Sequence, residues 1–548
     1  MRCYARYLTP ILTSAVLLTC AAARAESGDD ERGFERREES RSWKVAGHDL
    51  HNTRSTAADP RLNRDTVSQL AVKWVFTATG DVTATPTVEG NALYEPDWGG
   101  RIYKIDTRTG KAIWSHKISD YTGNPASISR TSPAIAGRLI VFGDQASAEV
   151  IAVDRETGNL VWRALVDPQP VTGEAITAAP TIFEDRVYVG VSSLQETLAV
   201  KAHLTPTFRG RVVALDLHTG AILWQFDTVP EGYTGGAVWG GSLAVDEKRH
   251  SLFFGTGNNY SVPPDVTACL LQATTMQAQS ACLDPNDHID SIVALDLRTG
   301  ALKWAQRMQA FDTWIGFCFR SNSTPGCPIP SGEDFDFGAA PNLFTVDVKD
   351  DEHGGHRRDI IGAGEKSGIY WALDPDNGSL VWATRVGPGT NFGGVLFGTA
   401  SDGERVYVPI TDNKHITYEQ FPNGPLLDGG SWSALDAGTG AFVWQVPVPG
   451  FDPQSPTKGA AGLGEPSVAN GLVFLGGEAG DMTALDSDTG KILWRFQSGG
   501  AVGGGAAIVG TSVYWGSGSF RSSAGSHNNK LYAFELPFRE APTRSEDR

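Results

Sequence analysis

The chain has 548 residues and a formal charge of −17 at neutral pH, with 63 Gly, 15 Trp and 20% charged residues. So acidic a surface argues against nucleic acid and anionic membrane as partners; it suits a basic protein partner, or simply keeps the chain soluble. Abundant Gly and Trp with ordinary charge suit many short strands joined by tight turns, with aromatics packed between them.

The first 25 residues contain Arg2, Arg6 and Arg24 and no acid. A basic start, an apolar stretch from Leu8 to Ala23 and the small-residue site Ala23-Arg24-Ala25 predict a cleaved export leader over 1–25. The mature chain then begins at Glu26 and is periplasmic or secreted. Thr9, Pro10, Thr13 and Ser14 interrupt the apolar stretch, which is too short for a membrane span. Thr19 is a poor neighbour for lipid attachment at Cys20. Residues 26–42 are predicted as a disordered charged linker, 43–538 as one folded domain and 539–548 as a tail. No other segment is apolar enough to cross a bilayer.

One phrase then recurs: an apolar residue, Asp, a short variable stretch, Gly and a Trp four residues on. The copies are Ile105–Trp114, Val153–Trp162, Leu215–Trp224, Leu295–Trp304, Leu373–Trp382, Leu435–Trp444 and Leu485–Trp494. Each reads as a hairpin in which T-G or N-G supplies a turn with positive φ. An eighth copy is split: Leu531–Leu536 resembles the strand before the turn, and Leu70–Phe76, with Trp74, the strand after it. Units of this length cannot bury their apolar faces alone. Stacking them in a ring, closed by pairing the two chain ends, predicts an all-β, eight-bladed β-propeller with the tryptophans wedged between blades.

The repeats are unevenly spaced. The extra length lies in Ser261–His288 and Met308–Asp336, which carry Cys269 and Cys282, and Cys318 and Cys327. Four cysteines allow three pairings; proximity favours Cys269–Cys282 and Cys318–Cys327. Long insertions on a rigid scaffold shape binding sites. No C-x-x-C-H is present, so the chain has no c-type haem motif of its own. In Gly235–Gly241 (GGAVWGG), Trp239 lies outside the repeat position, and flanking glycines leave an indole face open for a planar ring.

The repeat, in its A-x-D-x-x-T-G-x-x-x-W form, resembles that of the quinoprotein alcohol dehydrogenases, over Trp43 to Pro537. Trp43–Arg54 (WKVAGHDLHNTR), the cysteine insertions and Asp334–Gly338 (DFDFG) are most similar to the polyvinyl-alcohol dehydrogenases. The resemblance implies oxidation of an alcohol, secondary or polymeric among the options, with pyrroloquinoline quinone (PQQ) and Ca²⁺. Electrons would pass to a separate cytochrome c. It implies Trp239 as the floor of the quinone site, and Glu196, Asn258 and Asp336 as calcium ligands, an oxygen set that suits this hard cation. Asp336 is implied as the general base, with Asp334 as the alternative, two residues away in an extended segment. Arg130 would meet a cofactor carboxylate, Lys366 would polarise the quinone oxygen and Thr177 would offer a hydroxyl contact. Asp412 or Asn413 would supply a further polar contact. Gly338 stands where lanthanide-using relatives carry an additional Asp, which favours calcium.

The departures are also specific. No vicinal cysteine pair precedes Arg130, a family glutamate falls at about Thr83, and a family tryptophan is missing around Gly462. These weaken the case for methanol as substrate and suggest a wider mouth. Two other readings remain: a non-catalytic propeller for protein binding, of the outer-membrane assembly type, and a relative that has lost its cofactor.

Overall fold

The structure, a computed structural model, describes residues 42–167, 171–319, 321–348, 356–519 and 525–537. The predicted leader, the charged linker up to Arg41 and the C-terminal tail lie outside the described residues. Ser42, the linker's last residue, already belongs to a strand, Ser42–Trp43.

Eight antiparallel sheets with four principal strands each make up the fold. Blade 1 shows the pattern from the axis outward: Thr87–Glu89, Ala92–Pro96, Arg101–Asp106 and Ala112–Lys117. Blade 8 takes Ala507–Val509, Ser512–Ser517 and Lys530–Glu535 from the end of the chain, and Ala71–Thr77 from its beginning. Trp74 pairs with Ala533 in that seam. The predicted ring closure is therefore present, and it leaves no blade incomplete.

The repeat phrase has one physical job, repeated around the ring. Each repeat Trp donates its indole N–H to the carbonyl just after the Asp of the next repeat. The bonds run Trp74 to Thr107, Trp114 to Arg155, Trp162 to Leu217, Trp224 to Leu297, Trp304 to Pro375, Trp382 to Ala437 and Trp444 to Ser487. Trp494 completes the circle on Leu70 O at 3.1 Å. The turn glycine of that next repeat is required twice over. Gly378, for example, has φ +73°, and a Cβ there would lie 2.6 Å from the Trp304 indole. The Asp holds the turn by accepting backbone N–H groups, as Asp216 does from His218 and Thr219.

These hairpins all lie on one face of the ring, because each joins the third strand of a blade to the fourth. The opposite face carries the connections from second to third strand and from each blade to the next. Both cysteine insertions are there, pinned by disulfides Cys269–Cys282 and Cys318–Cys327, as proximity predicted. The first insertion folds as two short helices, Pro264–Leu270 and Met276–Cys282.

Residues 42–56 run inside the ring. Their carbonyls accept N–H groups from the innermost strands of blades 2, 4, 5, 6 and 7: Ile135 on Lys44, Val245 on Leu50, Leu343 on His51, Ser401 on Thr53 and Val468 on Arg54. Trp43 pairs with Val88 of blade 1. The segment thus satisfies inner-edge donors that a bare channel would leave to water.

Candidate functional site

Every site residue inferred from the sequence falls on the face with the variable connections. Arg130, Thr177, Trp239 and Asp336 come from blade-to-blade connections; Glu196, Asn258 and Lys366 come from connections between second and third strands. Placement on one face follows from strand order alone. Convergence near the axis is what the tertiary structure adds.

Trp239 joins the two halves of the site. Its indole N–H donates to Asp336 Oδ2 at 2.7 Å. Its backbone carbonyl accepts from Thr177 Oγ1 at 2.8 Å and from Arg130 at 3.4 Å. Glycine is needed around the ring: a Cβ at Gly338 would sit 2.4 Å from the indole, and one at Gly240 would sit 1.8 Å from Gly338 O. Trp239 is half-buried, unlike a core tryptophan such as Trp432 or Trp515.

Beyond the indole N–H lies a buried acidic cluster with one cation in it. Lys366 Nζ donates to Asp334 Oδ1 at 2.8 Å and to Asp336 Oδ2 at 2.9 Å, and stands 5.1 Å from the Trp239 ring centroid. The backbone N–H of Asn258 donates to Asp336 Oδ1 at 2.8 Å. Both hydrogens of the Asn258 amide are spent on Asn259 O and Trp314 O, so its oxygen is the group that remains. Glu196 lies on a helix, Gln195–Ala202, rather than in a loop after the strand. Burial, then the charge of Asp336, pushes the Glu196 carboxyl up to about 8, against the pull of Lys366. Burial works to lower Lys366, but Asp334, Asp336 and Glu196 more than offset it and hold the ammonium charged.

The expected extended run through Asp334 is not found. Asp334 has φ +63°, in the left-handed region, so two-residue alternation does not set its facing. Both aspartates nevertheless reach Lys366, because backbone N–H groups of Asp334 and Phe335 are tied down by the buried carboxylate of Asp312. Asp312 carries no repeat signal and was not found from the sequence.

On the other side of Trp239 is a polar cavity lined by Arg130, Thr177, Thr85, Ser132, Phe397 and Glu465, among others. Thr83, at the position of the missing family glutamate, also lines it and accepts the Trp98 indole N–H. The carboxylate here comes instead from Glu465, across the ring. Asp412 and Asn413 do not line this cavity: Asp412 accepts the Ile416 N–H, and Asn413 the Thr390 hydroxyl. A side chain at Gly462 would meet Ile410 O at 2.9 Å, so the backbone there leaves no room for one.

The donor set fits a hard cation. Glu196, Asp336 and Asn258 offer two carboxylates and an amide, all oxygen. Among the described residues no group of three or more carboxylate, imidazole or thiol side chains is placed to hold a metal ion. Any coordination positions beyond these three would need oxygens from a bound ligand. The cavity offers an anionic ligand the Arg130 guanidinium and several hydroxyls beside Trp239, with the Glu465 carboxylate also in its lining.

The family described as outer membrane protein assembly factor BamB matches residues 64–306 and 365–535, which span the propeller repeats. A polyvinylalcohol dehydrogenase of Sphingopyxis sp. is 31% identical over 87% of this chain and 74% of its own length. Another from Pseudomonas sp. is 29% identical, over 90% and 77%. The crystal structure of quinohemoprotein alcohol dehydrogenase from Comamonas testosteroni superposes with a TM-score of 0.66 at 20% identity, covering 91% of this chain and 81% of that one. That likeness establishes the eight-bladed fold. With the sequence match across nearly the whole ring, the chain belongs to the PQQ-dependent alcohol dehydrogenase family of oxidoreductases, within which the polyvinyl-alcohol dehydrogenases are its relatives.

Proposed function

We propose that this protein oxidises an alcohol to a carbonyl compound, with PQQ on Trp239 and Ca²⁺ at Glu196, Asn258 and Asp336. The observation that carries the reading is Asp336 itself: one carboxylate bonded to the Trp239 indole, to the backbone of Asn258 and to Lys366. A protein-binding scaffold has no use for a buried acidic cluster around one lysine at its axis, where each buried charge is costly unless it is used.

When bound, PQQ supplies a two-electron acceptor for the hydride leaving the carbinol carbon. The chain's residues do the rest. Asp336 takes the hydroxyl proton of the substrate, its carboxylate fixed on three sides by Asn258, Trp239 and Lys366. Lys366 is a permanently charged donor, poised to polarise an oxygen placed beside it. Arg130 and Thr177, held through the Trp239 carbonyl, would anchor the cofactor's carboxylate edge. Asp334 shares Lys366 with Asp336 and limits how far the ammonium moves.

The relatives named above point to a secondary or polymeric alcohol. Electrons would leave singly to a separate cytochrome c, a basic example of which would dock well on so acidic a chain. Function outside the cytoplasm, after removal of residues 1–25, completes the reading.

The test is to load purified protein with PQQ and Ca²⁺, remove the excess, and assay dye reduction with primary, secondary and polymeric alcohols. Retained PQQ with alcohol-dependent turnover supports the reading. A folded protein that retains no PQQ under any metal condition overturns it.

A further inference from the structure

The cavity beside Trp239 holds a charge arrangement that the proposed catalysis does not use. Glu465 lines it, and its Oε2 is paired with Arg54 at 2.8 Å. Arg54 comes from the segment threaded through the ring. Its guanidinium is buried and fully engaged: on Pro466 O at 2.7 Å, Ala46 O at 2.8 Å, Thr85 Oγ1 at 3.1 Å and Ser467 Oγ at 3.4 Å. Thr85 Oγ1 in turn donates to Glu465 at 3.0 Å. A Cβ on Gly505 would lie 1.6 Å from the guanidinium, so blade 8 leaves room only for Arg54. Arg130, which also lines the cavity and is lowered by burial to about 10, feels the Glu465 charge as well.

Arg54 is thus paired with this carboxylate, and the Arg130 guanidinium lines the same cavity. Without Arg54, Glu465 and Arg130 would balance and the cavity would be neutral. With it, one positive charge is in excess, in a place where burial makes each charge count.

We propose that Arg54 is a positioning residue for cofactor recognition: by holding Glu465 it leaves the cavity with a net positive charge that selects a polycarboxylate ligand. This rests on the cofactor reading above and adds to it a residue from the threaded segment, which touches no part of the acidic cluster. It also gives that segment a role besides capping the inner strands. The same arrangement accounts for a glutamate being tolerated in a cavity that is to receive an anion.

The experiment is equilibrium dialysis of PQQ against wild type, Arg54→Gln, Glu465→Gln and the double variant, with Ca²⁺ and at several ionic strengths. Arg54→Gln should weaken binding by about tenfold or more, the scale of a lost charge-assisted contact. It should also flatten the salt dependence of the Kd, which a purely structural loss would not do. The double variant, with the same charge balance as wild type, should return to within about threefold of it. Glu465→Gln alone should bind more tightly. A double variant as weak as Arg54→Gln, or a Glu465→Gln that binds no more tightly than wild type, overturns the inference. Should Arg54→Gln fail to fold, Glu465→Gln decides by itself. Absence of binding by the folded wild type overturns the cofactor reading, and this inference with it.

Discussion

The two faces of the ring are built by opposite rules. On one, seven near-identical hairpins place an Asp, a glycine turn and a tryptophan in the same geometry, each serving its neighbour. On the other, no two connections are alike, and they supply Glu196, Asn258, Asp336, Lys366, Trp239 and Arg130. Repetition produces closure; difference produces chemistry. A ring whose stability resides in one face is free to diversify the other.

Substitutions should therefore separate by face. The largest expected effect is on the variable face. Asp336→Ala should lower kcat by about 10²–10⁴-fold, as for loss of a general base, with little change in Tm. Asp334→Ala should cost much less, since it leaves Asp336 bonded to Trp239 and Asn258. If Asp334→Ala abolishes turnover and Asp336→Ala does not, the base is Asp334.

On the repetitive face the loss should be in stability. Trp382→Ala removes a buried wedge that donates to Ala437 O and packs on Gly440, and should cost about 3–5 kcal/mol in denaturant unfolding. Turnover per folded molecule should hold. A loss of kcat without loss of stability would mean that the faces are coupled.

A smaller effect sharpens the comparison through pH. Burial and Asp336 push Glu196 up to about 8, so below that pH a proton must leave before a cation can bind. Ca²⁺ affinity should then rise by about tenfold per pH unit up to about pH 8 and level off above it. Calorimetric titration at pH 6, 7, 8 and 9 reads this directly, and a flat profile would remove Glu196 from the ligand set. The smallest effect belongs to a single far-face turn. Thr299→Ala deletes its hydroxyl bond to Asp296 Oδ1 at 2.8 Å and should cost about 0.5–1.5 kcal/mol, with activity unchanged.

Much of this is legible in the sequence. The hairpin phrase needs only local chemistry, an Asp that caps a turn and a glycine with positive φ, so its seven copies and the split eighth could be read directly. The disulfides join near neighbours and were read for the same reason. Within the site, the resemblance to a known family selected Trp239, Arg130, Thr177, Glu196, Asn258, Asp336 and Lys366, and the structure brings them together in two groups joined at Trp239. Roles for Arg54, Thr85, Asp312 and Glu465 were not read. Each is an ordinary residue in its own stretch of chain and acquires meaning only from a partner on another blade.

The sequence by itself determined the ring, its blade count and its closure by the two chain ends, because these follow from local turn chemistry and strand alternation. Only the tertiary structure decided the charge balance at the axis. It placed Lys366 between two aspartates, set the Asp334 backbone off the extended path and brought Arg54 to Glu465 across 411 positions of chain. Electrostatics acts through space, and no local pattern in a sequence records which charges a closed ring will bring face to face.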